Sequence, residues 1–210
     1  MNLCAIIVET RPIPHLVNII RSHFKFLPEH TDLAIFYGDK TAYLIKKLKP
    51  IISIKIKDDF HRVSYNLLLT SPTFWGNFLL WDKVLIFQSD SMILREGIEE
   101  FYKYDYIGAS WKWTDEYAGN GGLSLRNPSV MFDICRNFHN IQELNEDHFI
   151  VKTMHENKIG NLAPIEVADK FSCEAKFILG TWGYHAIDAW LSKEECKQIR
   201  NQYKGGNDHI

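Results

Sequence analysis

The sequence predicts an α/β fold with a layered, mostly parallel central sheet. Apolar runs of strand length alternate along the chain with segments whose apolar residues recur at helical spacing, the pattern of strands connected through helices. One run, Val84-Leu85-Ile86-Phe87, is apolar throughout and stops at Gln88-Ser89-Asp90-Ser91. A strand buried on both faces ends this way when it delivers a polar side chain to the carboxyl edge of a parallel sheet, where ligands bind. Further on, the turn Gly119-Asn120-Gly121-Gly122 feeds a second apolar segment, Leu123-Ser124-Leu125.

Leu3 to Glu9 is the first buried-strand run, broken by Arg11-Pro12-Ile13-Pro14. From His15 to Phe26, Leu16, Ile19, Ile20, His23 and Phe24 recur on one helical face. Asp32 to Tyr37 gives a second strand closed by Gly38-Asp39, and Thr41 to Leu48 a short helix. Ile51 to Lys57 alternates apolar with polar, as an edge strand does. Val63 to Leu80 reads as helix interrupted at Pro72 and leads into the strand ending at Asp90. Ile98 to Tyr104 is a short helix, Tyr106 to Trp111 a strand and Pro128 to Phe138 a helix. Glu146 to Glu156 is a helix with Glu146 and Asp147 in its first turn; Ile165 to Phe171 is strand or loop. Ser192-Lys193-Glu194-Glu195 is a capping-box start to the last helix. The tail from Lys204 to Ile210 reads as a linker to further domains of a longer chain.

The chain has 210 residues, room for a single domain, 1–210. Its 24 Lys and Arg against 26 Asp and Glu leave a net charge of -2, with no global attraction to nucleic acid. An anionic ligand must therefore be held by a local site. Cys4, Cys135, Cys173 and Cys196 lie far apart without zinc spacing, so reduced structural thiols in a cytoplasmic protein are expected. No apolar run approaches the ~20 residues of a membrane span, and Leu3 to Val8 is too short for a signal core. No stable membrane insertion is expected.

A carboxylate at a strand end, bracketed by Ser89 and Ser91, suits a hard divalent cation, Mg²⁺ or Mn²⁺. One Asp holds such an ion weakly, so phosphate oxygens or a second side chain must complete its shell. His185, in Gly180-Thr181-Trp182-Gly183-Tyr184-His185, offers a nitrogen, and a mixed shell favours Mn²⁺. Each residue also has a plainer reading: Asp90 as a turn former, His185 as a packed imidazole, Glu146 and Asp147 as acids stabilising a helix N-terminus.

Taken in order, the segments Phe87 to Ser91, Tyr104 to Trp111, Gly119 to Arg126, Asn145 to Phe149 and Gly180 to His185 resemble the GT-A class of nucleotide-sugar glycosyltransferases. More narrowly, they resemble the N-terminal domain of a chlorovirus glycosyltransferase, which would place the protein in a host cytoplasm. The resemblance implies a Rossmann-like GT-A fold with a nucleotide-binding N-terminal half and an acceptor-binding, catalytic C-terminal half. Asp90 matches the metal-binding acidic motif, although Gln88 or Ser89 stands where its first Asp usually is; His185 matches a C-terminal metal ligand. Glu9, Thr10 and Arg11 match the first nucleotide-contacting loop, and Gly38, Asp39 and Lys40 the next position at the base. Gly121 and Gly122 are expected to bring backbone close to the donor sugar. Glu146 and Asp147 match the acidic pair that supplies a general base, with Asp147 preferred. The implied activity is metal-dependent, inverting transfer of rhamnose or another hexose from a UDP-sugar to a glycan. Trp111, Trp113 and Trp182 stack on sugars or fill the core. The alternatives are a metal-dependent nucleotidyltransferase or phosphohydrolase, and a non-catalytic nucleotide-sugar-binding module.

Overall fold

A computed structural model describes residues 1–202; the expected linker from Lys204 lies outside them. Nine strands are present among the described residues: β1 (Leu3–Glu9), β2 (Asp32–Tyr37), β3 (Ile52–Lys55), β4 (Lys83–Phe87), β5 (Ser91–Ile93), β6 (Tyr106–Gly108), β7 (Leu123–Arg126), β8 (Ser172–Cys173) and β9 (Gly183–His185). The main sheet has the order β3-β2-β1-β4-β7-β6. Its β3, β2, β1 and β4 are parallel, and β7 runs antiparallel between β4 and β6. This is the mostly parallel α/β sheet expected from the sequence.

Alternation within the apolar runs builds two layers. Leu3, Ala5 and Ile7 of β1, with Leu85 and Phe87 of β4, face one core that includes Leu16 and Ile20 of α1 (Leu16–Phe24). Cys4 and Ile6, with Val84 and Ile86, face the other. That second core takes Phe74 and Trp75 of α4 (Pro72–Gly76), Met131 and Ile134 of α5 (Pro128–Asn137), and Ile150 and Met154 of α6 (Glu146–Asn157). Each fully buried side chain of this size contributes roughly 1.5–3 kcal/mol, so β1 and β4 form a rigid base for whatever their carboxyl ends carry.

Between β2 and β4 the chain makes α2 (Tyr43–Leu48) after a 3₁₀ turn, then β3, α3 (Arg62–Leu69) and α4. The break expected at Pro72 is there: Ser71 caps α4 through its hydroxyl, and Pro72 occupies the first turn where no N–H is needed. β3 is an edge strand whose Ile52 and Ile54 are half-buried while Ser53 and Lys55 are exposed.

Two expectations are corrected. Ile165 to Phe171, read as strand or loop, is the helix α7 (Ile165–Phe171), following Pro164. Its buried residues Ala168 and Phe171 are three apart, a helical spacing that so short a segment displays only once. The strand read as running on to Asp90 stops at Phe87; the chain turns through Gln88 to Asp90, and Ser91 opens β5 in a separate sheet of order β5-β9-β8. The chain closes with α8 (Ile187–Trp190) and α9 (Lys193–Asn201), the latter carrying the expected capping box between Ser192 and Glu195. All four cysteines are free and buried. Among the described residues no helix is long and apolar enough to cross a membrane.

Candidate active site

At the carboxyl end of β1, Glu9 is buried and Arg11 exposed. Arg11 grips the carboxylate with two hydrogen bonds, Nε to Oε1 at 2.9 Å and Nη2 to Oε2 at 2.8 Å. Ser89 Oγ, at the end of β4, donates to Glu9 Oε2 at 3.1 Å. A buried acid thus fixes a surface guanidinium, and that fork geometry suits phosphate as well as carboxylate. Thr10 donates to the Asp58 carbonyl at 3.2 Å. Gly38 lies so close to Asp58 that a Cβ would stand 2.0 Å from its Oδ1. Asp39 pairs with Lys55 at 2.7 Å on the surface, beside Lys40. Glu9, Thr10, Arg11, Tyr65 and Gln88 line an open cleft of about 440 Å³.

The second group is Asp90 with His185. β5 and β9 pair with Ser91 opposite His185, and Ala186 N–H donates to the Asp90 carbonyl at 3.0 Å. His185 Nε2 lies 3.0 Å from Gln88 Oε1 and 3.4 Å from Asp90 Oδ1. Its Nδ1 lies 3.2 Å from Glu174 Oε1, within ion-pair reach though off the line of a hydrogen bond. Burial opposes charging of this imidazole, but the hydrogen bond to Asp90 and the negative charges of Asp90 and Glu174 outweigh it and push it up to about 9. The His185 hydrogen bond in turn holds the Asp90 carboxyl below the usual range, with Arg11 adding a smaller pull. The two serines around Asp90 part company: Ser89 faces Arg11, whereas Ser91 turns inward to the Gln88 carbonyl and to His23.

Among the described residues no group of three or more His, Cys, Asp or Glu side chains is arranged to hold a metal. Glu174 lies on the far nitrogen of the ring from Asp90, so it orients the imidazole rather than joining the donor set. A carboxylate on one ring nitrogen is the usual support for a histidine that binds a cation with the other. Asp90, Gln88 Oε1 and, once its proton is displaced, His185 Nε2 offer donors to a divalent cation whose remaining ligands come from elsewhere, and Asp90 keeps 58% of its side chain open for them.

The third group is the acidic pair at the start of α6. Glu146 is buried and makes a bidentate pair with Arg126, itself fully buried, at 2.6 and 2.9 Å; the guanidinium lies 4.6 Å above the Tyr106 ring. Asp147, half-buried, takes Gly121 N–H on Oδ2 at 2.9 Å and His148 N–H on Oδ1 at 2.7 Å. Burial and the neighbouring Glu146 push Asp147 up to about 6, against the pull of those two N–H groups. The adjacent acids thus differ: one is neutralised by a fixed partner, and the other is poised to change protonation near neutral pH.

The glycine turn makes room for protein groups. A Cβ at Gly121 would lie 2.3 Å from Glu146 Oε1, and one at Gly122 would lie 2.2 Å from the His185 ring. Asp147 thus meets the turn at the Gly121 N–H, and His185 meets it at Gly122. Trp182 is core, stacked on Phe171 at 5.1 Å; Trp111 is buried and Trp113 exposed. Reasoning from sequence missed Asp58, Gln88 as a partner of His185, Arg126 as the partner of Glu146, and Glu174. For Asp58 alone there was a local signal, the Asp58-Asp59 pair after β3.

No curated protein matches the chain by sequence. Solved structures resemble it with little identity. The inositol-1-phosphate CTP transferase from T. maritima superposes with a TM-score of 0.58 at 9% identity, over 100% of this chain and 98% of that one. TarS from S. aureus gives 0.52 at 12%, over 77% and 57%. The apo glycosyltransferase GlyE of Streptococcus pneumoniae TIGR4 gives 0.49 at 12%, over 83% and 47%. The chain thus spans about half the length of those last two proteins. The fold is that of the GT-A type transferases, as the likeness to TarS shows. A family profile described as "Protein of unknown function (DUF5672)" matches residues 52–202, and on that match the chain belongs to this family.

Proposed function

We propose that the protein is a divalent-cation-dependent glycosyltransferase that moves a hexosyl group from a UDP-sugar to a hydroxyl of a glycan, with inversion. The observation that carries this reading is the adjacency at Gly121 and Gly122: a carboxylate raised to about 6 sits on the first, and the imidazole paired with Asp90 sits against the second. A base for a hydroxyl and a seat for a cation thereby meet one glycine turn, at the end of the sheet that carries Arg11.

The cleft at Glu9, Thr10 and Arg11 receives the nucleotide, with Arg11 and Ser89 toward the diphosphate, and Gly38, packed against Thr10, brings Asp39 and Lys40 to the side of the base. Asp90 and deprotonated His185 would hold Mn²⁺ or Mg²⁺, with Glu174 keeping the imidazole turned, and a cation bound there would supply charge neutralisation for the diphosphate. Asp147 accepts the proton of the acceptor hydroxyl as its oxygen bonds to the anomeric carbon; the bond from that carbon to the diphosphate oxygen breaks, and its electron pair leaves with the diphosphate. One base suffices for inversion. Glu146, tied to Arg126, fixes the start of α6 and so the place of Asp147. A rhamnosyl donor is what the chlorovirus likeness adds.

The whole-length superposition on the T. maritima CTP transferase favours a second reading, nucleotidyl transfer with release of pyrophosphate. Calorimetric titration of UDP, GDP, CDP and their sugar conjugates, with and without Mn²⁺, tests the first. Cation-dependent binding of a sugar nucleotide, followed by release of nucleoside diphosphate, supports it. Pyrophosphate release from a nucleoside triphosphate favours the second reading, and no binding by any of these compounds sinks both.

A further inference from the structure

The loop between β6 and β7 carries an aromatic group that the proposed reaction does not yet use. Trp113 leaves 57% of its surface exposed, yet it is not loose: its ring stacks on buried Trp111 at 5.0 Å and 25°. His148, the residue after Asp147, stands 4.7 Å from the Trp113 ring, and Tyr117 Oη lies 3.4 Å from His148 Nε2. The same loop continues into the turn whose Gly121 N–H holds Asp147. The group is therefore an apolar floor, already rigid, edged by an imidazole and a phenol and joined through one peptide bond to the proposed base.

We infer that Trp113 is the stacking platform for the acceptor, and that the acceptor is a pyranoside whose C–H face lies flat on the indole while its ring hydroxyls reach His148 and Tyr117. This rests on the glycosyltransferase reading, because it is Asp147 that makes the neighbouring ligand an acceptor. The chemistry follows from the surface. A flat indole with one open face rewards a flat apolar face, and because Trp111 already fixes the ring, little side-chain freedom is lost on binding. The polar atoms along its edge suit hydroxyl groups rather than a bare hydrocarbon. Burial and nearby Lys152 hold the His148 imidazole below its ordinary value, so its neutral ring can accept as well as donate hydrogen bonds to sugar hydroxyls.

Trp190 supplies an internal control, since it is exposed to 58% but lies on α8. Indole ¹⁵N–¹H spectra, with Trp113 and Trp190 identified by Trp113→Phe and Trp190→Phe, are recorded during titration with methyl β-glucoside, methyl β-galactoside and methyl α-mannoside. The expected result is a saturable shift of the Trp113 signal by at least one glycoside, with Trp190 unmoved, and, by calorimetry, a weakening of about 5- to 10-fold in Trp113→Ala. A Trp113 signal that moves no more than that of Trp190, or that moves equally with acyclic sorbitol, overturns the inference. UDP with Mn²⁺ is titrated separately into the unaltered protein. Nucleotide binding with a motionless Trp113 overturns the platform alone, whereas glycoside binding without nucleotide binding overturns the glycosyltransferase reading and leaves a saccharide site.

Discussion

Gly122 lies flat against the His185 imidazole, with room for a hydrogen and nothing larger: a Cβ there would stand 2.2 Å from Cε1 and Nε2 and 2.4 Å from Nδ1. The ring cannot easily step aside, since Gln88 and Asp90 flank one nitrogen and Glu174 the other. Gly122→Ala is expected to cost about 1–3 kcal/mol through overpacking and to weaken cation-dependent nucleotide binding. Urea unfolding and calorimetry read the two effects. A variant as stable as the unaltered protein would show that the ring relocates freely.

For Asp147, activity is expected to rise with pH through about 6, as its carboxyl gives up its proton and becomes the base. Asp147→Asn lowers turnover by about 10²- to 10⁴-fold while sugar-nucleotide binding persists. The same variant changes acid stability in a defined direction. Asp147 titrates near 6 when folded and 3.8 when unfolded, so between those values the folded chain holds the extra proton and gains stability as the pH falls. Fully buried His23, lowered by burial to about 4 from 6.5, does the reverse and loses stability over that fall. Removing the Asp147 contribution should steepen the drop in melting temperature between pH 6 and pH 4. Parallel curves for the two proteins would mean that Asp147 titrates as an ordinary aspartate.

Arg126 and Glu146 are expected to be worth more as a pair than either is alone. Arg126→Met or Glu146→Gln leaves a buried polar group without its partner and should cost about 3–5 kcal/mol, whereas replacing both by apolar residues recovers most of that. A double-mutant cycle in urea measures the coupling. Additive losses would show two independent side chains in place of a lock at the start of α6.

Glu174→Gln probes the orientation of His185 without touching its Nε2. Cation affinity should fall about 10- to 100-fold, read as the Mn²⁺ concentration needed for nucleotide binding, and chelation of the metal should reproduce the full loss. Equal affinity in the variant would remove Glu174 from the site.

Much of the sheet was legible because each of its long strands shows itself within a few residues. Leu3 to Val8 and Val84 to Phe87 are apolar without a break, and Ile52 to Lys55 alternates as an edge does. Asp90 stood out for the same reason, as the polar end of an apolar run. What stayed hidden depends on contacts far apart in the chain. Nothing near Glu146 announces that Arg126, twenty residues earlier, takes both of its oxygens. Nothing near Cys173 marks Glu174 as the support of a histidine on another strand. The glycines were visible as glycines, but sequence could not tell whether they clear space for a ligand or, as found, for Glu146, Arg126 and His185.

The β5–β9 pairing has a consequence for how the protein is made. Asp90 is in place once the fourth strand of the main sheet has emerged, but the imidazole opposite Ser91 belongs to a strand that begins at Gly183. Domains generally fold as units, once synthesis has delivered all of their parts. A chain halted before Gly183 lacks the imidazole half of its cation seat, so the site becomes competent only after β9 has been synthesised.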